Sequence, residues 1–168
     1  MRAALEILGH PTYHCFRIFS SIRDIDMWME AYESKYSNGK TKLDRAFWDK
    51  LLGRVSAVTD TPSIDFAEEL IAAYPEAKVI LWQRDEEAWF QSYNETVINY
   101  YDHPMSKFLA WLEPGWYGRL YRLINRCILE SRFGATSQEE LRRNCRKVYR
   151  QYFVTIRECL QGQPERLL

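Results

Sequence analysis

Residues 57–84 constrain this chain more than any other stretch. They read AVTDTPSIDFAEELIAAYPEAKVILWQR. Lys78–Gln83 (KVILWQ) is a continuous apolar run, as expected for a strand covered on both faces. Val55–Thr59 is a shorter β-rich run that ends at Asp60, with Pro62 closing it. Between the two, Asp65–Tyr74 has helical spacing, Ser63 stands where an N-cap belongs, and Pro75 ends the segment. Strand, helix and strand joined by short connections make a βαβ unit with parallel strands and a right-handed crossover. Parallel neighbours lie ~4.7–4.9 Å apart, which would put Asp60 and Arg84 on one rim of the sheet, within ~15 Å.

Everything else reads as helix. A first helix runs from the start of the chain to Leu8, with Gly9 as its C′ residue. Further helices are expected over Ser21–Tyr36, Asp44–Leu52, Asp85–Tyr101, Lys107–Leu112 and Trp116–Phe133, with a turn at 37–39. Ser137 and Glu140 form a capping box for a last helix to about Gln161. The class is therefore α/β, helix-rich, with one domain over residues 1–168. Two strands fall short of the ~4–6 of an ordinary sheet, so the sheet within these residues is expected to be incomplete.

Net charge is zero and the sequence pI is about 6.8, so no one-sign field draws nucleic acid or an acidic membrane. Cys15, Cys127, Cys145 and Cys159 form no CxxC pair and have no histidine at ligand spacing. No metal site is expected, and the thiols read as reduced core residues of a cytoplasmic protein. The chain opens without a signal-peptide pattern and has no apolar run near the ~20 residues of a membrane span.

Four stretches, RAALEILGHPTYHCFRIF (2–19), AVTDTPSIDFAEELIAAYPEAKVIL (57–81), QRDEEAWFQS (83–92) and QGQPERLL (161–168), carry a resemblance. Together they resemble a sulfotransferase family that is abundant in fungi and includes the drug-activating sulfotransferases of schistosomes. The resemblance implies a P-loop NTPase-like parallel sheet flanked by helices. It also implies a strand and a glycine-containing loop (GxxRTGTxS) ahead of the stretch matching Arg2. That loop wraps the 5′-phosphosulfate of 3′-phosphoadenosine 5′-phosphosulfate through backbone N–H groups. A further core strand follows the stretch matching PERLL. The chain as written starts where the loop would have ended and stops at Leu168. The expectation is a domain truncated at both ends, without its phosphosulfate loop and without measurable transferase activity.

The resemblance also assigns roles. An Arg at a strand end and a Ser eight positions on, here Arg84 and Ser92, bind the donor's 3′-phosphate. A guanidinium chelates phosphate oxygens and a hydroxyl adds a donor. Asp60 matches the base that takes the acceptor's proton, and His14 matches a Tyr-His dipeptide near the acceptor. Simpler roles stand beside these. Arg84 could pair with Asp85, Glu86 and Glu87, Asp60 could cap its turn, and His14 could be a satisfied half-buried histidine. Trp28, Trp48, Trp82 and Trp89 read mainly as core. Trp111, Trp116, Tyr117 and Tyr121 fall where relatives shape the acceptor pocket. Lys78, Arg2 and the stripe Arg142, Arg143, Arg146, Lys147 and Arg150 read as solvated charge.

Two functions follow. One is sulfuryl transfer from 3′-phosphoadenosine 5′-phosphosulfate to a small hydroxylated molecule. The other is a non-catalytic accessory protein that meets a protein partner, or its own copy, through an exposed sheet edge.

Overall fold

The computed structural model describes residues 1–37 and 39–168. Asn38, in the middle of the turn expected at 37–39, lies outside the described residues.

Helix ends follow their caps. Helix α1 (Arg2–Ile7) is followed by Gly9 at φ 85°. Helix α2 (Ile22–Tyr36) starts at Ser21, whose hydroxyl accepts the Asp24 N–H, and α3 (Arg45–Leu52) starts at Asp44, which accepts from Phe47. After α4 (Ala67–Ala73) and α5 (Glu86–Thr96) comes α6 (Pro104–Leu112), on which no residue is buried. Helix α7 (Tyr117–Arg122) continues as a π-helix over Leu123–Ser131, where one continuous α-helix is expected. The last helix, α8 (Gln138–Cys159), begins at Ser137, whose hydroxyl accepts from Glu140. None of these is long and apolar enough to cross a membrane among the described residues.

The sheet corrects the expected βαβ pairing. Strand β2 (Ala57–Val58) pairs in parallel with β1 (Thr12–Tyr13), not with Lys78–Gln83. The KVILWQ run is extended but among the described residues makes one bridge, Val79 with Leu167. Nor is it covered on both faces, since Ile80 is 46% and Trp82 77% exposed. Its inner edge faces a cavity rather than a strand. Ser63 does not cap a helix. It opens a 3₁₀ turn (Ser63–Phe66), and its buried hydroxyl finds no partner among the described residues.

Trp28, Trp48 and Phe66 pack with ring centroids 5.4–5.8 Å apart at the centre of the main core. The Trp28 indole N–H donates to the Tyr13 hydroxyl at 2.9 Å, which fastens β1 to α2. A second cluster of Ile71, Ile156 and Leu160 holds Val79, Leu81 and Leu167. There the buried Arg166 donates to the carbonyls of Ile71, Tyr74 and Ala77, closing the C-terminal end of α4.

Candidate functional site

The β1–β2 register explains the centre of the site. Tyr13 stands opposite Val58, so His14 and Asp60 follow directly from the carboxyl ends of two paired parallel strands. Open α/β sheets present ligand sites at that end. His14 Nε2 lies 3.4 Å from Asp60 Oδ2, both side chains partly exposed. Sequence reasoning named both residues and had no means of showing that they touch.

Each is fixed locally. His14 caps the 3₁₀ helix Cys15–Ser20, its Nδ1 accepting the Phe16 N–H at 3.4 Å, and its ring stacks on Phe16 at 5.2 Å. With Nδ1 an acceptor, the ring proton of neutral His14 sits on Nε2, facing Asp60. Asp60 has φ 67°, a left-handed conformation that Asp tolerates better than most residues. Its carbonyl accepts the Ile64 N–H at 3.2 Å, closing the turn that aims its carboxylate. Next to them, burial pushes the Cys15 thiol up to about 12, and the Asp60 charge adds to the shift. Phe16 and Phe19 stand exposed beside His14, an apolar margin that the sequence did not mark as part of a site.

Arg84 is held by α8. The Tyr149 hydroxyl accepts its N–H and donates to its carbonyl. The acids beside Arg84 are engaged elsewhere. Asp85 caps α5 through Ala88 N–H, Glu86 pairs with Arg150, and Glu87 with Arg146. Among the described residues the local pairing that would neutralise Arg84 is not made, and its side chain stays exposed. Ser92 lies half-buried on α5, its hydroxyl without a side-chain hydrogen-bond partner among the described residues. Between them Trp89 packs, stacked on Tyr149 at 4.3 Å and Tyr93 at 5.0 Å. Burial is the main cause that raises the Tyr93 hydroxyl, against the opposing pull of Arg132.

The remaining charges resolve as solvated or structural. Lys78 donates to the Glu165 carbonyl, Arg2 pairs with Glu6, Arg143 with Glu139, and Arg142 with Asn94 and Asn99. Trp28 and Trp48 are core, whereas Trp82 and Trp111 are exposed. Trp116 and Tyr117 are half-buried, and the Tyr121 hydroxyl donates to Asp102.

One ionic group escaped the sequence altogether. Asp65, fully buried, lies 2.7 Å from an Arg132 guanidinium nitrogen, and the Tyr32 hydroxyl donates to its other oxygen. Burial holds the Asp65 carboxyl above the ordinary range, against the opposing pull of Arg132 and Tyr32. This pair ties the turn after Asp60 to the end of the π-helix. Nothing in the local sequence around Arg132 signals it.

Compared with known proteins, residues 1–168 match throughout the family model described as "Sulfotransferase domain". The chain belongs to the sulfotransferase domain family. A protein of Aspergillus versicolor described as "Ava biosynthesis cluster protein M" is similar, 37% identical over 95 residues. The match covers 56% of this chain and 36% of that relative.

Proposed function

We propose that this sulfotransferase domain serves the transfer of a sulfuryl group from 3′-phosphoadenosine 5′-phosphosulfate to a small hydroxylated acceptor, on a P-loop NTPase-like sheet. The observation that carries this is the His14–Asp60 contact at the carboxyl ends of paired parallel strands. The naming of the Aspergillus relative as a biosynthesis cluster protein fits a small-molecule acceptor.

When bound, the donor supplies the activated sulfuryl group. Arg84 would hold its 3′-phosphate, since the neighbouring carboxylates are engaged and leave the guanidinium to an outside anion. Ser92 would add a hydroxyl donor. The fit is partial, because residues 1–168 contain no stretch of the GxxRTGTxS pattern through which the resembled family wraps the 5′-phosphosulfate. His14, its Nδ1 committed to Phe16, turns Nε2–H toward Asp60 Oδ2 and orients that carboxylate. The other Asp60 oxygen accepts the acceptor's hydroxyl proton. Phe16 and Phe19 give the acceptor an apolar margin.

Calorimetric titration with adenosine 3′,5′-bisphosphate tests the reading. Saturable binding is expected, at least ~10-fold weaker in Arg84→Ala, in line with loss of a charge-assisted contact. Equal binding by both proteins, or none by a folded chain, sinks the assignment. Turnover by residues 1–168 alone is expected to be near zero, because losing even one oxyanion donor costs ~100–1000-fold. Any residual transfer should fall a further ~100–10,000-fold in Asp60→Asn.

A further inference from the structure

A cavity of about 330 Å³ lies between the second half of α2 and the π-helix. That is the lower end of the ~300–1,000 Å³ range of small-molecule sites. Met29, Glu33 and Ser37 stand on one wall, at the spacing of a single α-helical face. Arg122, Arg126, Cys127 and Ser131 form the other. An ordinary α-helix would not build that second wall. Arg122 and Ser131 are nine positions apart, about 2.5 turns of α-helix, which would put them on opposite sides. The i→i+5 bonding over Leu123–Ser131 widens each turn and brings both to one side. Ser131 Oγ donates to the Arg126 carbonyl at 3.2 Å, five residues back, in keeping with the wider turn. Such π segments are uncommon and recur at functional sites.

Charge decides what fits. Nearby ionic groups on the same helices are taken: Lys35 pairs with Glu69, Arg119 with Asp26, and Arg126 with Glu130. Among the described residues Glu33 and Arg122 make no ion pair, with each other or with any third group. Burial pushes the Cys127 thiol up to about 11, so it stays protonated at neutral pH and adds no charge. The cavity thus offers one open carboxylate on one wall and one open guanidinium on the other. A simple anion would meet Glu33, and a simple cation would meet Arg122. An uncharged ligand would take water from both charges and pair neither. A zwitterion gives each its opposite. Beside the charges, half-buried Met29 and Cys127 supply apolar surface.

We propose that this cavity binds a free α-amino acid with an apolar side chain, its carboxylate on Arg122, its ammonium on Glu33 and its side chain against Met29 and Cys127. An α-amino acid carries both charges on one carbon, which suits two opposite charges that face a common space without touching. The proposal does not rest on the sulfuryl-transfer reading, because none of His14, Asp60, Arg84 and Ser92 lines this cavity.

An amide chemical-shift titration of the intact chain tests it, followed at Ser37, Cys127 and Ser131. The probes are L-leucine, L-leucinamide, which lacks the carboxylate, and N-acetyl-L-leucine, which lacks the ammonium. Leucine is expected to shift these amides saturably, and either derivative to bind at least ~10-fold more weakly. Glu33→Gln and Arg122→Gln should each weaken leucine by a similar factor. Both side chains are exposed, so the variants are read on folded protein. No saturable shift with leucine overturns the proposal. Equal binding of N-acetyl-leucine overturns it too, since the site would then be a plain anion site at Arg122. Equal binding of leucinamide does the same by assigning a cation site at Glu33. Full leucine affinity in either variant likewise refutes the two-charge arrangement.

Discussion

The Tyr149 hydroxyl holds both backbone groups of Arg84, accepting its N–H at 3.1 Å and donating to its carbonyl at 2.6 Å. A residue on α8 thereby fixes the direction in which the guanidinium leaves the backbone. Tyr149→Phe keeps the ring stack on Trp89 and removes only these bonds. The expected cost is ~0.5–1.5 kcal/mol in a denaturant titration. Affinity for adenosine 3′,5′-bisphosphate should also fall, but less than in Arg84→Ala. Unchanged binding in Tyr149→Phe would mean that this clasp serves folding alone.

The Asp65–Arg132 pair makes a second prediction. Its desolvation is nearly complete on the Asp65 side, so removing one partner strands the other in the core. Asp65→Leu or Arg132→Met alone should each cost ~3–5 kcal/mol, whereas the double substitution should recover most of that. Unfolding of all three variants by guanidinium completes the cycle. Additive losses would show that the pair does not act as a unit.

Alkaline pH should weaken the fold. Burial, the largest cause in each case, raises Cys15 from 9.0 to about 12, Cys127 from 9.0 to about 11, and Tyr36 and Tyr121 from 10.0 to about 12. A raised pKa in the folded state means that the folded chain holds its proton more tightly than the unfolded one. The associated stability is full below the ordinary value and is lost as pH climbs through the raised one. The melting midpoint should hold level to about pH 9 and then decline toward pH 12, less steeply in Tyr36→Phe. A flat profile across that window would refute the burial of these groups.

Several helix ends were legible because they are written in a few adjacent residues, whereas the cap expected at Ser63 is not made and α5 stops at Thr96 rather than Tyr101. Ser21, Asp44 and Ser137 cap as their positions suggest, and Gly9 and Gly134 take positive φ behind their helices. Strand pairing was not. Thr12–Tyr13 is only two residues long, between Pro11 and His14, too short for any period to register. It is fastened by the Trp28 indole, 15 residues on, which no local pattern around Thr12 announces. A helical pattern likewise does not separate i+4 from i+5 bonding, so the π segment at Leu123–Ser131 passed as ordinary helix. In the site, resemblance supplied Asp60, His14, Arg84 and Ser92, but their surroundings came from elsewhere. The acids next to Arg84 looked like its partners until α8 brought Arg146 and Arg150 to two of them.

The division of roles between His14 and Asp60 turns on a single proton. His14 Nδ1 accepts from Phe16 N–H, which leaves Nε2 to carry the hydrogen toward Asp60 Oδ2, 3.4 Å away. In that tautomer the imidazole cannot take a proton through Nε2, which leaves the carboxylate as the base of the proposed transfer. Ring ¹⁵N shifts of neutral His14 should therefore report the Nε2–H form, and Asp60→Asn should leave that tautomer in place because Phe16 sets it. If the shifts report Nδ1–H instead, the lone pair on Nε2 faces the acceptor side. The histidine would then be the better candidate for the base, and Asp60 would be left to orient it.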